Sequence, residues 1–302
     1  MITIKRLLCC ILFLLICLRL QAVSLKCAGD TGYILTAPPK PLSFATNMPG
    51  DLLEFNKRVF QKKTILPALG IGMLTFAMIP WDDDIRAGSM AIGKKLAISS
   101  TSSMRTYVNI RLLKLTPDLP INATFAGPHD LSSAMYFLGD GWTHMGIAAG
   151  FMTYGHITHS YRARHAATAI VESVNASGFV VQLLKHVTGR ESPFVATTPT
   201  GRWTPFPNQI EYHKRVPHFD AFPSGHIAAA TASVTVVSAL YPRKRWIKPL
   251  GYSLMGVLMF AMVNNGAHWA SDYPLGIALG YSFAQIALHH VDKNPKKPSS
   301  VD

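Results

Sequence analysis

The chain is short of negative charge. Aspartate and glutamate number 16 against 29 lysines and arginines, for a formal net charge of +13, and charged residues of either sign make up only 15% of it. With 49% apolar residues, that scarcity excludes a disordered polymer, since such a chain has ample apolar surface to bury. Cysteine is scarce too, at four residues. Cys9, Cys10 and Cys17 lie in the N-terminal apolar stretch, so its removal would leave Cys27 alone and exclude an internal disulfide. No internal repeat or low-complexity tract stands out, which excludes solenoid and fibrous architectures. The long apolar runs also lack the alternation of half-buried strands, so helix is the better reading.

What is present is base in short clusters between apolar segments. Nucleic-acid binding fits that distribution poorly, whereas the loops of a membrane protein show it. Residues 1–24 read as a secretory signal, with Lys5 and Arg6, then the apolar "LLCCILFLLICL", then small residues at Ala22 and Ser24. An uncleaved anchor helix is the alternative. Residues 25–63 read as a linker, 64–292 as a helical domain, and 293–302 as a basic tail. Apolar runs at 64–81, 131–154, 166–187, 226–241, 246–263 and 273–289 predict an all-α bundle of about six core helices. Asp140 and Glu172 fall inside two of these runs, which is costly in lipid. The segment between the first two runs is mixed and Ser/Thr-rich, and its "DDDIR" reads as a solvated helix end.

Three basic loops, "SYRARH" at 160–165, "YPRKRWIK" at 241–248 and "KNPKK" at 293–297, fall on one side if the last five helices alternate. The positive-inside rule makes that side cytoplasmic and turns 193–223 and 264–272 toward the periplasm. A cleaved signal conflicts with this if 64–81 also spans, so that segment either does not span or the bundle is peripheral or soluble. Trp142, Trp246 and Trp269 at helix ends suit an interfacial belt. His156 and His159 are spaced i, i+3 but have no Cys or carboxylate beside them, so loop histidines are the simpler reading. The sequons at Asn122 and Asn175 are short patterns that recur by chance.

Three patches carry chemistry: "LKHVTGRESP", "FPSGH" and "NNGAHWASD". Ser224 and Gly225 precede a helix, where free amides can meet an anion and glycine allows close approach; an ordinary N-cap explains Ser224 equally well. Lys185 and Arg190 flank a glycine turn and could grip a phosphate, or simply form a basic loop. His268 and Asp272, at i and i+4, would share a helix face, and the carboxylate would fix the imidazole's tautomer. His226 at the helix mouth has no packing reason to be there.

In this order the patches resemble the type 2 phosphatidic acid phosphatase superfamily, which includes bacterial acid phosphatases and vanadium haloperoxidases. The resemblance covers roughly residues 130–290 and is strongest in "AFPSGH" and "HWASD". It implies an all-helical bundle with the site at one end and no metal or other cofactor. It implies that His268 attacks phosphorus, Asp272 orients it, His226 protonates the leaving oxygen, and Lys185, Ser224 and Gly225 hold the phosphoryl oxygens. Two positions depart from the pattern. Ser192 and Met262 stand where the motifs have arginine. Arg190 is a stand-in for the first; Asn264 and Asn265 offer donors without charge near the second. The expected activity is a phosphatase acting on lipid phosphates or smaller phosphate esters at a membrane. The alternatives are a catalytically impaired relative that binds lipid phosphates or scaffolds partners, and a lipid phosphotransferase. A haloperoxidase fits so apolar a chain least.

Overall fold

The computed structural model describes residue 35 and residues 37–101, 104–116 and 119–292. The expected signal and basic tail lie outside them. A single helical turn, α1 (Ser43–Thr46), leads into α2 (Met48–Val59) and the apolar α3 (Lys62–Met78), which a 3₁₀ turn joins to α4 (Asp82–Lys95). Strands β1 (Met104–Thr116) and β2 (Leu119–Pro128) form an antiparallel hairpin. Then come α5 (Leu131–Phe137), α6 (Gly141–Ile157), α7 (Tyr161–Thr188), the short α8 (Gln209–Lys214), α9 (Gly225–Leu240), α10 (Ile247–Asn264) and α11 (Tyr273–Asp292).

The bundle is all-α in its core. Helix α7 packs against α6, α9 and α11; α9 also packs on α10 and α11, and α3 lies along α11. Ile227, Met255, Leu258, Met262, Val263 and Tyr273 fill one part of the core, and Val181, Leu279, Phe283 and Ile286 another. Helix α9 meets α11 at very short range. A Cβ on Gly280 would come 2.1 Å from the Ala228 carbonyl oxygen, and one on Gly276 would come 2.6 Å from that of Ser224. Only glycine permits this approach, and it brings the start of α9 beside the start of α11.

Helix ends follow the local chemistry. Ser160 caps α7, and Gly189, at φ 55°, closes it with its amide on the Lys185 carbonyl. The run at 131–154 is broken, with Asp140 at the break. Its carboxylate caps α6 by accepting from the Trp142 amide at 2.8 Å. A charge that is costly inside an apolar helix is favourable at its N-terminus. Glu172 does lie buried inside α7, where Asn47 and His290 meet it. The hairpin at 104–128 is unforeseen. Its register shifts between Thr106 and Val108, Arg111 and Leu113, and Lys114 and Thr116, which breaks up the strand period in sequence. The ring of Phe125 meets Trp142 edge-on at 5.4 Å and ties the hairpin to α6. Helices α1 and α2 occupy part of the stretch expected to be linker and pack on α7 and α11.

The segments 62–95, 161–188 and 247–264 are long and apolar enough to cross a membrane. On α3, Leu66, Leu69, Met73 and Phe76 are all exposed. Two basic loops meet at one end of the bundle, where Arg162 Nη1 donates to the Leu240 carbonyl at 2.5 Å. Ala37 lies at that end too, its carbonyl 3.0 Å from His165 Nε2. Trp142 and Trp246 are exposed as an interfacial belt requires, but Trp269 is buried and donates to the Glu191 carbonyl.

Candidate active site

All three motifs meet at the bundle end opposite the basic loops at 160–165 and 241–248. There α7 and α10 finish, α9 and α11 begin, and α3 hands over to α4. His268 lies in the loop before α11, and its Nδ1 donates to the Ala221 carbonyl at 2.7 Å. A carbonyl can only accept, so the proton sits on Nδ1 and Nε2 carries the free lone pair. Asp272 Oδ2 is 3.5 Å from the same Nδ1, close enough for an ion pair but not a tight hydrogen bond. The two residues come together through a 3₁₀ turn, Ala270–Asp272, in place of the expected α-helical face.

His226 is the second residue of α9. Its ring packs at a tilt against Tyr136 at 4.4 Å and stands edge-on to His268 at 5.8 Å between centroids. Its Nε2 is buried without a hydrogen-bond partner. Ser224 is fully buried and caps α9; its amide donates to the Asp272 carbonyl at 3.1 Å and its Oγ accepts from the Ile227 amide at 3.4 Å. Gly225 fits against Val181, which a Cβ would meet at 3.4 Å. Lys185, at the end of α7, points its ammonium at Asp220 Oδ2, 2.8 Å away, and Tyr212 donates to the other oxygen of that carboxylate at 2.5 Å. Burial and the nearby Asp220 raise the Tyr212 phenol, so it stays a donor.

Arg190 is the main correction. It is expected to grip a phosphate, yet it is fully buried and both its terminal nitrogens are occupied, while Nε is buried without a partner. Nη1 donates to Asp272 Oδ1 and Ser271 Oγ at 2.6 and 2.7 Å, and Nη2 to Asp82 Oδ2 and the Thr200 carbonyl at 2.6 and 2.8 Å. The indoles of Trp203 and Trp269 lie 4.8 and 5.3 Å from it. Arg190 thus holds Asp272 and does not face a ligand. Asp82 completes the arrangement, accepting from the Ser271 amide and hydroxyl as well. It is the first acid of "DDDIR", and the solvated reading holds for its neighbours but not for it. The one available signal was its place directly after an apolar run ending in Trp81. Asp220, four residues before Ser224, was also missed.

Ser192 is nearly buried and its amide donates to the Pro217 carbonyl. The neighbouring Glu191 receives the Thr197 and Arg202 amides and the Thr197 hydroxyl. Burial alone would raise its carboxyl, but these bonds outweigh burial and hold it below the usual range. Asn264 spends its amide group on the Ser99 carbonyl, whereas Asn265 Nδ2 is buried without a partner. Met262 has no exposure and packs in the apolar core with Ile227, Leu258 and Tyr273. Met262→Arg should therefore bury an unpaired charge and cost on the order of 4 kcal/mol, with no gain in phosphate release. Thermal unfolding and a phosphate assay on the variant check both parts.

Residues 166–296 match the sequence model of the PAP2 superfamily, the type 2 phosphatidic acid phosphatases. No curated protein matches the chain. Among solved structures, a transmembrane PAP2-type phosphatidylglycerolphosphate phosphatase from Bacillus subtilis aligns at 12% identity over 84% of this chain and 98% of its own, with a TM-score of 0.37. A likeness that loose adds nothing to the argument. The matched sequence segment runs from the start of α7 past α11 and contains all three motifs. The match over residues 166–296 agrees with the resemblance carried by those motifs.

Proposed function

We propose that the protein is a membrane-associated phosphatase that releases phosphate from lipid phosphates, or smaller phosphate esters, through a phosphohistidine intermediate. The observation that carries this reading is the pair of imidazoles, His226 and His268, facing each other at 5.8 Å with the Lys185 ammonium at the same bundle end. His268 Nε2 attacks phosphorus; the N–P bond forms as the P–O bond to the leaving group breaks. A protonated His226 gives its proton to the leaving oxygen. Water then attacks phosphorus, His226 takes a proton from it, and the N–P bond breaks. Lys185 and the amides at the start of α9 neutralise the phosphoryl oxygens. Asp220 holds Lys185 until a phosphoryl dianion competes for it.

The exposed apolar flank of α3 and the three long apolar helices support a seat in a membrane. By the positive-inside rule, the basic loops at 160–165 and 241–248 support a site on the opposite, periplasmic side. A second reading, a relative that binds lipid phosphates without turnover, is favoured by one observation: among the motif residues, no guanidinium faces the imidazoles, since Arg190 is held by Asp82 and Asp272. Phosphate release from phosphatidic acid and prenyl diphosphates, without added metal, separates the two. Release that vanadate inhibits is the expected result. A folded protein that releases none supports the binding reading, and phosphate found on an added lipid acceptor supports the transferase.

A further inference from the structure

We propose that Asp51, Glu172 and His290 form a binding site for a divalent ion of the Zn²⁺ class, remote from the imidazole pair. The three residues come from α2, α7 and α11, and their donor atoms all lie within 4.8 Å of one another. His290 Nδ1 is 2.7 Å from Glu172 Oε1 and 3.6 Å from Asp51 Oδ1. Asn47 Nδ2 holds the second Glu172 oxygen at 3.1 Å.

The independent observation is Asp51. It is 1% exposed, and neither of its carboxylate oxygens has a hydrogen-bond partner. His290, 3.6 Å away, is an ionic neighbour but too far for a hydrogen bond, and a buried carboxylate that accepts no hydrogen bond has room for a further ligand. Two carboxyl groups and one imidazole crowd the same space, and one divalent ion would bond to all three. The donor set selects the ion. Mg²⁺ and Ca²⁺ take oxygen ligands, whereas one imidazole nitrogen with two carboxylates suits Zn²⁺.

Spacing agrees. Ligand bonds of about 2.0–2.2 Å put tetrahedral neighbours about 3.3 Å apart. The His290–Asp51 separation already matches, and the His290–Glu172 contact needs to open by less than about 1 Å. A cavity of about 190 Å³ adjoins the cluster, lined in part by Asn47, Glu172 and His290, and gives a water room for the fourth position. Lys40 and His165 also line it, and the exposed Lys40 is an adverse charge there. Along α7, Glu172 lies about 20 Å from Lys185 at 1.5 Å per residue. The ion would take no part in the reaction; it would staple α2 to α7 and α11.

The test uses the full chain, stripped of metal and titrated with Zn²⁺ against a chromophoric chelator, with thermal unfolding in parallel. Wild type should bind one equivalent that Asp51→Asn and His290→Gln weaken at least about tenfold, and Zn²⁺ should raise the melting temperature of wild type alone. Asp51→Asn removes a buried carboxylate that accepts no hydrogen bond, so without metal it should melt no lower than wild type. No saturable wild-type site, or variants that bind as wild type does, would overturn the proposal. An equal melting shift from Mg²⁺ would overturn the class of ion.

Discussion

Arg190→Met should lower stability by about 3–5 kcal/mol, because it leaves Asp82 and Asp272 as two buried carboxylates without a counter-charge. At about 2–4 °C per kcal/mol, the melting temperature should fall by roughly 6–20 °C. Activity should fall as well, since Asp272 loses the group that fixes one of its oxygens. Adding Asp82→Asn to Arg190→Met should restore part of the loss, with a coupling of at least about 1 kcal/mol. Circular dichroism melts of the single and double variants measure this. A melt unchanged by Arg190→Met would mean that the guanidinium does not carry the arrangement.

His268→Ala should lower phosphate release at least about 10⁴-fold, as expected when a nucleophile is removed outright. Asp272→Asn should cost much less, about 10- to 100-fold. The reason is geometric. The Ala221 carbonyl sits closer to Nδ1 than Asp272 does, 2.7 against 3.5 Å, and it enforces the same tautomer without help. Initial rates of the two variants at saturating substrate check the order. Equal losses would return the orienting role to the carboxylate.

The bundle was legible because its signals are local and repeated. Six apolar runs bounded by Gly, Pro and polar residues mark the long helices, one run being split at Asp140 into α5 and α6, and three motifs at their ends mark one face. Where the reading failed, the deciding contact was distant or the pattern irregular. Asp82 meets Arg190 across 108 residues of chain, and nothing in "DDDIR" marks its first acid as buried. Arg190 was taken for a ligand group because a basic residue beside a glycine turn looks the same whether it faces phosphate or two carboxylates. His268 and Asp272 kept their spacing while changing their geometry, from an α-helical face to a 3₁₀ turn. The hairpin escaped because its register shifts dissolve the two-residue period. Met262 was visible as a missing arginine, but its burial beneath the site was not.

The most direct test of the account is covalent trapping of phosphate on His268. Enzyme mixed with a ³²P-labelled lipid phosphate and quenched in base within milliseconds should carry base-stable, acid-labile label. The label should be absent in His268→Ala. Label that persists in His268→Ala, or phosphate release at full rate with no labelled enzyme at any time, would contradict the phosphohistidine mechanism.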